Sequence, residues 1–586
     1  MAAPQRPGAS RRLAPICSAL RVAPPAAPAR PTPTPTPSAA GDGDGADAGG
    51  QEGPRLLVPD DMGCLVMLED PQPSPSGDWV AYVLSRPNYD ANQHEKQLML
   101  TSTAGEQSQQ FTFDRPFVSS PRWSPAGDTL AFLDKAADGT TQVFVLSMAG
   151  GDSRQATEQP GVKGFAFSPD GSELALTVED QPEEKEGEER HDKSFEVGDD
   201  HFLTEAAPLP HHVWIVPASG GAAERLTDGA RGLAQTFGGS AFSWTPDGSA
   251  LVYSSQPHAS LSYCNRQSLE VVPRAKPDAT WTLDPGPSAF GSLRVSPDGK
   301  SVAYSQVTSD AEGRYVPSAI YVRPLEPGAA AVCVSSGIDR SLTLVDWSLD
   351  GQSLLASADD GSTVSVWSVP LEGAATKLPL GGVQPTGIAP TADGGVVFVG
   401  KSVDRVAEIY SLGAGDATPR RLTDHNAFTA NQLLLGEVET LTWASTDGLE
   451  PNGIVTYPPD FDPSHTYPLV LVVHGGPMSA SLEGFTIRNQ ILASAGWIVF
   501  NPNYRGSDNL GAEFQRAVIG DAGDGPGEDV MAGVAALVAT GCVDETRIGL
   551  SGWSYGGCER SLARSQTPFG HTSTVPSMSL HVCRQI

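Results

Sequence analysis

The sequence predicts a seven-bladed β-propeller followed by an α/β-hydrolase domain that stops before its catalytic triad is complete. A turn motif, Ser-Pro-x-Gly or a near variant, recurs seven times between residues 74 and 394. After about residue 435 the pattern changes to alternating apolar strands and helices, and it leads to Gly-Trp-Ser-Tyr-Gly-Gly at 552–557. The third observation is the short, polar segment that follows this hexapeptide.

Composition excludes several classes of function. The 586 residues carry a formal net charge of −31, which argues against nucleic acid as a partner. No apolar run approaches the roughly 18 residues that a membrane-spanning helix needs. The seven cysteines are odd in number and form no C-x-x-C pair, which favours a reducing compartment. No histidine spacing indicates a metal, so we expect neither metal nor cofactor.

Residues 1–55 are predicted to be a leader outside the folded domains. Residues 1–40 hold five arginines and no acid, and they include a Pro-Thr repeat at 31–37. An Arg-rich, acid-poor leader is typical of a plastid or mitochondrial transit peptide. A disordered tail on a cytoplasmic protein explains the same composition, so the compartment stays open.

The repeats define the first folded domain, at 56–432. Proline fixes φ at the first central position of a tight turn, and glycine accepts the positive φ that closes it. The spacings between successive copies are 50, 44, 77, 51, 52 and 43 residues, close to the length of one four-stranded blade. The copies begin at Ser74, Ser124, Ser168, Thr245, Ser296, Ser348 and Thr391.

The long spacing of 77 residues has a visible cause. Residues 179–200 hold eleven acids against three bases, too many charges to pack into a core. We therefore expect 179–205 to be a solvated loop inserted between two strands of one blade. A pair of β-sandwiches would not explain the period of the other repeats.

Residues 433–557 are predicted to be the first part of the hydrolase domain. The apolar run at 467–473 suits a strand buried on both faces, and 496–500 and 547–550 are further strands. Residues 529–540 have helical periodicity, with Asp529 as the predicted cap and Gly541 as the stop.

The hexapeptide after the last strand predicts a nucleophile elbow. A serine on a sharp strand-to-helix turn exposes its Oγ, and the flanking positions need glycine to avoid collision. Ser554 is the predicted nucleophile, and Gly552 and Gly556 are the flanking glycines.

Four motifs together resemble the prolyl oligopeptidase family of serine peptidases, most of all its acylaminoacyl peptidase and dipeptidyl peptidase branch. They are Glu-Val-Glu-Thr-Leu-Thr-Trp at 437–443, Tyr-Pro-Leu-Val-Leu-Val-Val-His-Gly-Gly-Pro at 467–477, Asn-Tyr-Arg-Gly-Ser at 503–507 and the hexapeptide at 552–557. With the propeller, the resemblance covers about residues 57–557.

The resemblance implies roles for five further residues. The N–H of Tyr555 and an N–H from the Gly475-Gly476 loop are expected to form the oxyanion hole. His474 shapes that loop and is not the triad base, because the chain order in this fold is Ser, Asp, His. Arg505 is expected to brace the floor of the active site, as a salt-bridged residue more than as a substrate contact.

The pattern breaks after Gly557. Of the 32 residues that follow Ser554, none is an aspartate, and Glu559 is the only acid. His571 and His581 lie in a Ser/Thr-rich tail, 558–586, without helical or strand periodicity. We therefore expect the 586 residues alone to be almost inactive, and the incomplete sheet to expose an edge strand.

The favoured function is hydrolysis of short peptides through an acyl-enzyme on Ser554, with the propeller restricting entry. Two alternatives stay open: a carboxylesterase that uses the same elbow, and a non-catalytic propeller that binds a partner. The sequence does not distinguish exopeptidase from endopeptidase action, and it leaves the oligomeric state open.

Overall fold

The computed structural model describes residues 53–557 except for 106, 114, 116, 183–184, 195–206, 235–240 and 310–314. The predicted leader up to residue 52 and the predicted divergent tail, 558–586, lie outside the described residues. The end of the leader was placed slightly too late. Arg55 belongs to a strand that pairs in parallel with residues 433–434, and its guanidinium binds the Asp61 carboxylate at 2.5 Å.

The described chain before residue 435 is almost entirely β-structure. Most of its strands form antiparallel four-stranded sheets in which consecutive strands pair in chain order. The strands are β1 (Arg55–Leu56), β2 (Met67–Pro73), β3 (Trp79–Asn88), β4 (Gln93–Ser102), β5 (Ser108–Gln110), β6 (Ser119–Trp123), β7 (Thr129–Lys135), β8 (Thr141–Ser147), β9 (Arg154–Gln155), β10 (Val162–Phe167), β11 (Glu173–Glu179), β12 (His211–Pro217), β13 (Glu224–Arg225), β14 (Gly232–Leu233), β15 (Phe242–Trp244), β16 (Ala250–Gln256), β17 (Gln267–Pro273), β18 (Trp281–Val295), β19 (Ser301–Ser309), β20 (Tyr315–Pro324), β21 (Val332–Cys333), β22 (Thr343–Trp347), β23 (Ser353–Asp360), β24 (Thr363–Pro370), β25 (Thr376–Lys377), β26 (Gln384–Pro390), β27 (Val396–Ser402), β28 (Arg405–Leu412), β29 (Arg420–Arg421) and β30 (Leu433–Leu434).

All seven copies of the repeated motif form tight turns. In each copy the glycine N–H donates to the carbonyl oxygen of the first residue at 2.8–3.0 Å. The seven glycines have φ between 66° and 84°, which an L-residue rarely adopts. From the second to the sixth copy, a Cβ built on the glycine would lie 3.3–3.8 Å from the proline ring of the preceding copy. The turns therefore follow one another in space as they do in sequence.

The sheets close into a ring, as a propeller requires. The turns of the first, second, third, sixth and seventh copies line one cavity of about 520 Å³. The first and last sheets share a hydrophobic cluster in which Val80 and Tyr82 pack with Val397 and Ile409. This contact joins residues more than 300 positions apart, and it holds the ring shut through apolar burial.

The prediction of seven separate blades differs from the observed sheets. Five sheets have four strands, and β14–β21 form one continuous sheet of eight. The reason is β18, a strand of 15 residues whose first half pairs with β17 and whose second half pairs with β19. The acidic segment connects β11 to β12 as expected, although residues 195–206 of it lie outside the described part.

The second domain is built on a mixed five-stranded sheet. The strand order is β31 (438–442), β32 (452–456), β34 (498–503), β33 (467–473) and β35 (543–552), and β33 pairs in parallel with both neighbours. Among the described residues, no helix is long and apolar enough to cross a membrane. The elements from here on are α1 (Ala427–Gln432), β31 (Val438–Thr442), β32 (Asn452–Thr456), β33 (Tyr467–Val473), α2 (Ile487–Ser494), β34 (Ile498–Asn503), α3 (Ala512–Arg516), α4 (Asp524–Val538) and β35 (Val543–Gly552).

One face of this sheet is fully packed. Leu469, Leu471 and Phe500 meet Val534 and Leu537 of α4 in a single buried cluster. In the described part of the chain β35 lies at the edge of the sheet, and most of its residues are only half-buried. A parallel strand normally has neighbours on both sides.

The propeller contacts the second domain through the turn between β23 and β24. The N–H of Gly361 donates to the Asn509 carbonyl oxygen at 2.8 Å, and Asn509 Nδ2 donates back to the Gly361 carbonyl oxygen at 2.5 Å. This places Asp359 of the propeller close to Asp508 of the second domain. Burial, and then the charge of Asp508, raises the pKa of Asp359 to about 7, and burial also raises the pKa of Asp508.

Neighbouring charges do not neutralise this carboxylate pair. In the described structure, Arg340 and Lys377 both bind Asp360, and neither Asp359 nor Asp508 forms an ion pair. Two half-buried carboxyl groups with no cation are most stable when protonated.

We expect Asp359→Asn to stabilise the protein at pH 8 by about 2 kcal/mol and to change little at pH 4. The folded state keeps a proton on Asp359 between about pH 4 and pH 7, whereas the unfolded state has lost it, so stability falls as pH rises through this window. The rise in the pKa of Asp359 from 3.8 to about 7 sets an upper limit of about 4 kcal/mol, which solvent reduces. Thermal unfolding at both pH values measures the effect.

Asp360→Asn is the matched control, since it changes the adjacent carboxylate that does have cationic partners. It should lower stability at pH 8. Equal effects of the two substitutions would show that the Asp359–Asp508 pair is not under electrostatic strain.

Candidate active site

Ser554 lies on a sharp strand-to-helix turn. It lies two residues after the end of β35 and has φ of 53°, one of four non-glycine residues with positive φ in the described chain. The N–H of Gly556 donates to the Trp553 carbonyl oxygen at 2.9 Å, and the N–H of Gly557 donates to the Ser554 carbonyl oxygen at 2.8 Å. Such a conformation costs about 1–3 kcal/mol and persists where the surrounding structure fixes it. The geometry is that of a nucleophile elbow.

The flanking glycines are required sterically. A Cβ on Gly552 would lie 2.1 Å from the Gly556 carbonyl oxygen, and a Cβ on Gly556 would lie 2.4 Å from the Val473 carbonyl oxygen. Both distances are far shorter than van der Waals contact. Steric collision therefore explains why glycines flank the serine in the hexapeptide, as predicted.

The loop after β33 lies against the elbow. β33 and β35 are parallel neighbours, with Val473 opposite Gly552, so both chains leave the sheet at the same edge. A Cβ on Gly475 would lie 3.1 Å from Ser554 Cβ. Gly476 has φ of 134°, which also restricts that position to glycine. The structure thus brings together the serine and the two loop glycines expected beside it.

His474 holds this loop through its ring. Its Nδ1 lies 2.8 Å from the Gly475 carbonyl oxygen and its Nε2 lies 3.1 Å from Ser507 Oγ. The ring stacks on Tyr504 with centroids 4.5 Å apart, and the Tyr504 hydroxyl donates to the His474 carbonyl oxygen at 2.8 Å. Burial lowers the pKa of His474 to about 4, so the imidazole is neutral at physiological pH.

The residue after the nucleophile, Tyr555, is anchored by its side chain. Its ring is fully buried and stacks on Tyr504 at 5.8 Å. Its hydroxyl donates to the Ala522 carbonyl oxygen at 2.9 Å, on the loop that leads into α4. The side chain therefore fixes the start of the helix on which the Tyr555 N–H lies.

Arg505 lies below the loop in a buried ion-pair network. Its Nε and Nη2 donate to the two carboxylate oxygens of Asp529 at 2.8 and 2.7 Å, and its backbone N–H donates to Asp529 at 2.8 Å. Nη1 donates to Asp447 at 2.8 Å. Asp529, then Asp447, raises the pKa of the guanidinium. In the described structure the charged partners of Arg505 are these two carboxylates of its own domain; the predicted bracing role stays a prediction.

The predicted role of Asp529 was wrong. Helix α4 begins at Asp524, five residues before the predicted cap, and Asp529 lies inside it with no exposed surface. Gly525 permits the early start, because a Cβ there would lie 2.8 Å from Arg505 Nη1. Asp529 directly follows another acid of α4, the exposed Glu528, so the residue types alone did not indicate which of the two has a buried partner.

A cavity of about 700 Å³ lies beside the elbow. His474, Gly552 and Trp553 form one wall, and Lys401 of β27 reaches it from the propeller. This volume is in the range of small-ligand pockets. Glu559, His571 and His581, which were not expected to complete a triad, lie outside the described residues.

The fold and site define a class of protein: an α/β-hydrolase with a serine on a nucleophile elbow, preceded by a β-propeller. Residues 483–569 match the model of the prolyl oligopeptidase family. The resemblance stated from the motifs is confirmed, because this part of the hydrolase domain matches the prolyl oligopeptidase family of serine peptidases.

Similar proteins agree with this assignment. The uncharacterized peptidase YuxL of Bacillus subtilis is 27% identical over 553 residues, covering 88% of this chain and 80% of its own. Dipeptidyl-peptidase 5 of Porphyromonas gingivalis is 23% identical over 518 residues, covering 86% and 75%. The structure of Pyrococcus horikoshii acylaminoacyl peptidase has a TM-score of 0.72 at 19% identity and covers 88% and 78%. At that identity the structural likeness shows the fold.

Proposed function

We propose that this chain is a serine exopeptidase that hydrolyses short peptides, like the acylaminoacyl or dipeptidyl peptidases that it resembles. The observation that carries the proposal is the positive φ of Ser554 on an elbow packed against Gly475. On a strand-to-helix turn this conformation points the serine hydroxyl out of the sheet, toward a substrate.

Each residue of the candidate site has a different role in the proposed reaction. Ser554 Oγ gives its proton to a base and attacks the scissile carbonyl; the C–N bond breaks, the amine leaves with that proton, and water then hydrolyses the acyl-enzyme. The N–H of Tyr555 and an N–H from Gly475-Gly476 stabilise the oxyanion, and each such donor contributes about 2.7–4 kcal/mol. His474 and Arg505 act by holding these backbones in place. In this fold the acid and the histidine base follow the nucleophile in the chain, and residues 555–586 include no aspartate.

We further propose that the propeller has seven blades, with β14–β21 as two blades that share β18. Seven repeat turns, one for each set of four strands, support this count. A ring of this kind above the elbow would admit short or unfolded peptides and exclude folded proteins. A simple carboxylesterase has no need of such a gate.

The test joins residues 1–557 to the C-terminal hydrolase segment of the Bacillus subtilis relative; this fusion is the extended chain. We expect a fluorophosphonate to label it and peptide mapping to locate the label on Ser554. Ser554→Ala should remove the label, whereas Ser464→Ala, at a surface serine, should retain it. A label at another serine, or no label on a folded extended chain, would refute the proposal.

Substrates then separate the alternatives. An acetyl-alanine anilide, a free Ala-Ala anilide and p-nitrophenyl acetate test acylaminoacyl, dipeptidyl and simple esterase activity respectively. Hydrolysis of the acetate alone would favour the carboxylesterase.

A further inference from the structure

The cavity beside the elbow has an unusual charge for this chain. The protein has 69 acidic and 38 basic residues, yet the described residues that line the cavity include two bases, Lys401 and Arg488, and no acid. A cavity with positive charge in an acidic protein attracts an anionic ligand over the surrounding surface.

Lys401 is the inner of these two cations. It lies on β27 and is half-buried, and in the described part of the chain its Nζ has neither an ion pair nor a hydrogen bond. Its stem packs over Gly484, where a Cβ would lie 3.1 Å from Lys401 Cε. Burial lowers the pKa of Lys401, and no carboxylate opposes the effect. An anion in the cavity would compensate the buried charge.

Two further groups complete the polar wall. Arg488 stands at the rim, at the start of α2. Asn489, next to it, is 6% exposed and donates from Nδ2 to Asn501 Oδ1 at 2.8 Å. Its own Oδ1 is buried without a hydrogen-bond partner among the described residues. A buried acceptor without a donor costs about 1–3 kcal/mol, which a ligand N–H would recover.

We propose that Lys401 recognises a carboxylate of the peptide substrate, with Asn489 Oδ1 accepting a backbone N–H of the same peptide. The ligand class is a short peptide with a carboxylate, from an acidic side chain or from its own C-terminus. This proposal rests on the proposed function, because it assigns the cavity to the peptide that Ser554 attacks.

The test measures binding on the purified chain and needs no turnover. Four ligands are titrated calorimetrically: acetyl-Ala-Glu-amide, its Gln counterpart, acetyl-Ala-Ala with a free carboxylate, and acetyl-Ala-Ala-amide. We expect at least one carboxylate ligand to bind about tenfold more tightly than its neutral partner, and the difference to shrink at high salt. The first pair tests the side chain and the second pair tests the C-terminus.

Substitutions at Lys401 test whether its charge causes the preference for carboxylate ligands. Lys401→Met should abolish the preference for carboxylate ligands and leave the affinity for the neutral ligands unchanged. Lys401→Arg keeps the positive charge and should retain the preference. Lys401→Gln gives the same test if the methionine variant unfolds. Absence of any preference in the unsubstituted chain, or its persistence without the Lys401 charge, would overturn the inference. A preference without a fluorophosphonate label on the extended chain would refute the peptidase proposal alone.

Discussion

A purified polypeptide of residues 1–586 is expected to hydrolyse peptide esters about 10⁴ to 10⁶ times more slowly than the extended chain. A serine hydroxyl is a weak nucleophile until a base takes its proton, and loss of triad members costs about this factor. No aspartate follows Ser554 in these residues, and Glu559 is only five positions away. The factor corresponds to about 5.5–8 kcal/mol of transition-state stabilisation.

The measurement is kcat/KM for acetyl-alanine and free dipeptide esters, on both polypeptides under the same conditions. Ser554→Ala in each polypeptide sets the background rate. A rate for residues 1–586 within tenfold of the extended chain would contradict the prediction. It would mean that His571 or His581 reaches the elbow.

The local features of the site could be predicted from sequence because their constraints are local. Gly552 is required by a collision within five residues, with the Gly556 carbonyl oxygen, so the hexapeptide itself specifies this glycine; Gly556 is required by the adjacent strand. The repeat turns are similar, since proline and glycine set the backbone within four residues. In both cases residue types determine the conformation without knowledge of distant partners.

Contacts between distant segments could not be predicted in this way. The pairing of Asp529 with Arg505 joins a helix to a loop, and Asp359 meets Asp508 only because two domains pack together. Lys401 precedes Ser554 by more than 150 residues in the chain, and only the folded structure places it in the cavity beside the elbow. From the local sequence alone, Asp529 fits the role of a helix cap, and nothing nearby in the sequence indicates the distant partners of the other residues.

The blade count shows an intermediate case. The seven turns were predicted correctly as turns, but the sequence gives no sign that β18 continues through 15 residues between two sets of strands. Sheet boundaries depend on where hydrogen bonding stops, and one long strand removes a boundary without changing the repeat.

Asp529→Ala is expected to destabilise the hydrolase domain by about 3–5 kcal/mol. Asp529 has no exposed surface and Arg505 is 7% exposed, so removing the carboxylate leaves a buried guanidinium with one charged partner in the described structure, the half-exposed Asp447. The backbone N–H of Arg505 and the hydroxyl of Ser445 lose their acceptor as well. Hydrogen exchange of α4 and β34 in urea would report the loss within this domain.

Asp447→Ala is the matched control because it removes the other carboxylate from the same guanidinium. Its side chain is 47% exposed, so water replaces it, and the cost should stay below about 1 kcal/mol. Equal costs for the two substitutions would contradict the argument from burial. If Asp529→Ala alone also loosens exchange at residues 474–476, Arg505 supports the loop beside Ser554 through Asp529, and its effect on catalysis is one of position.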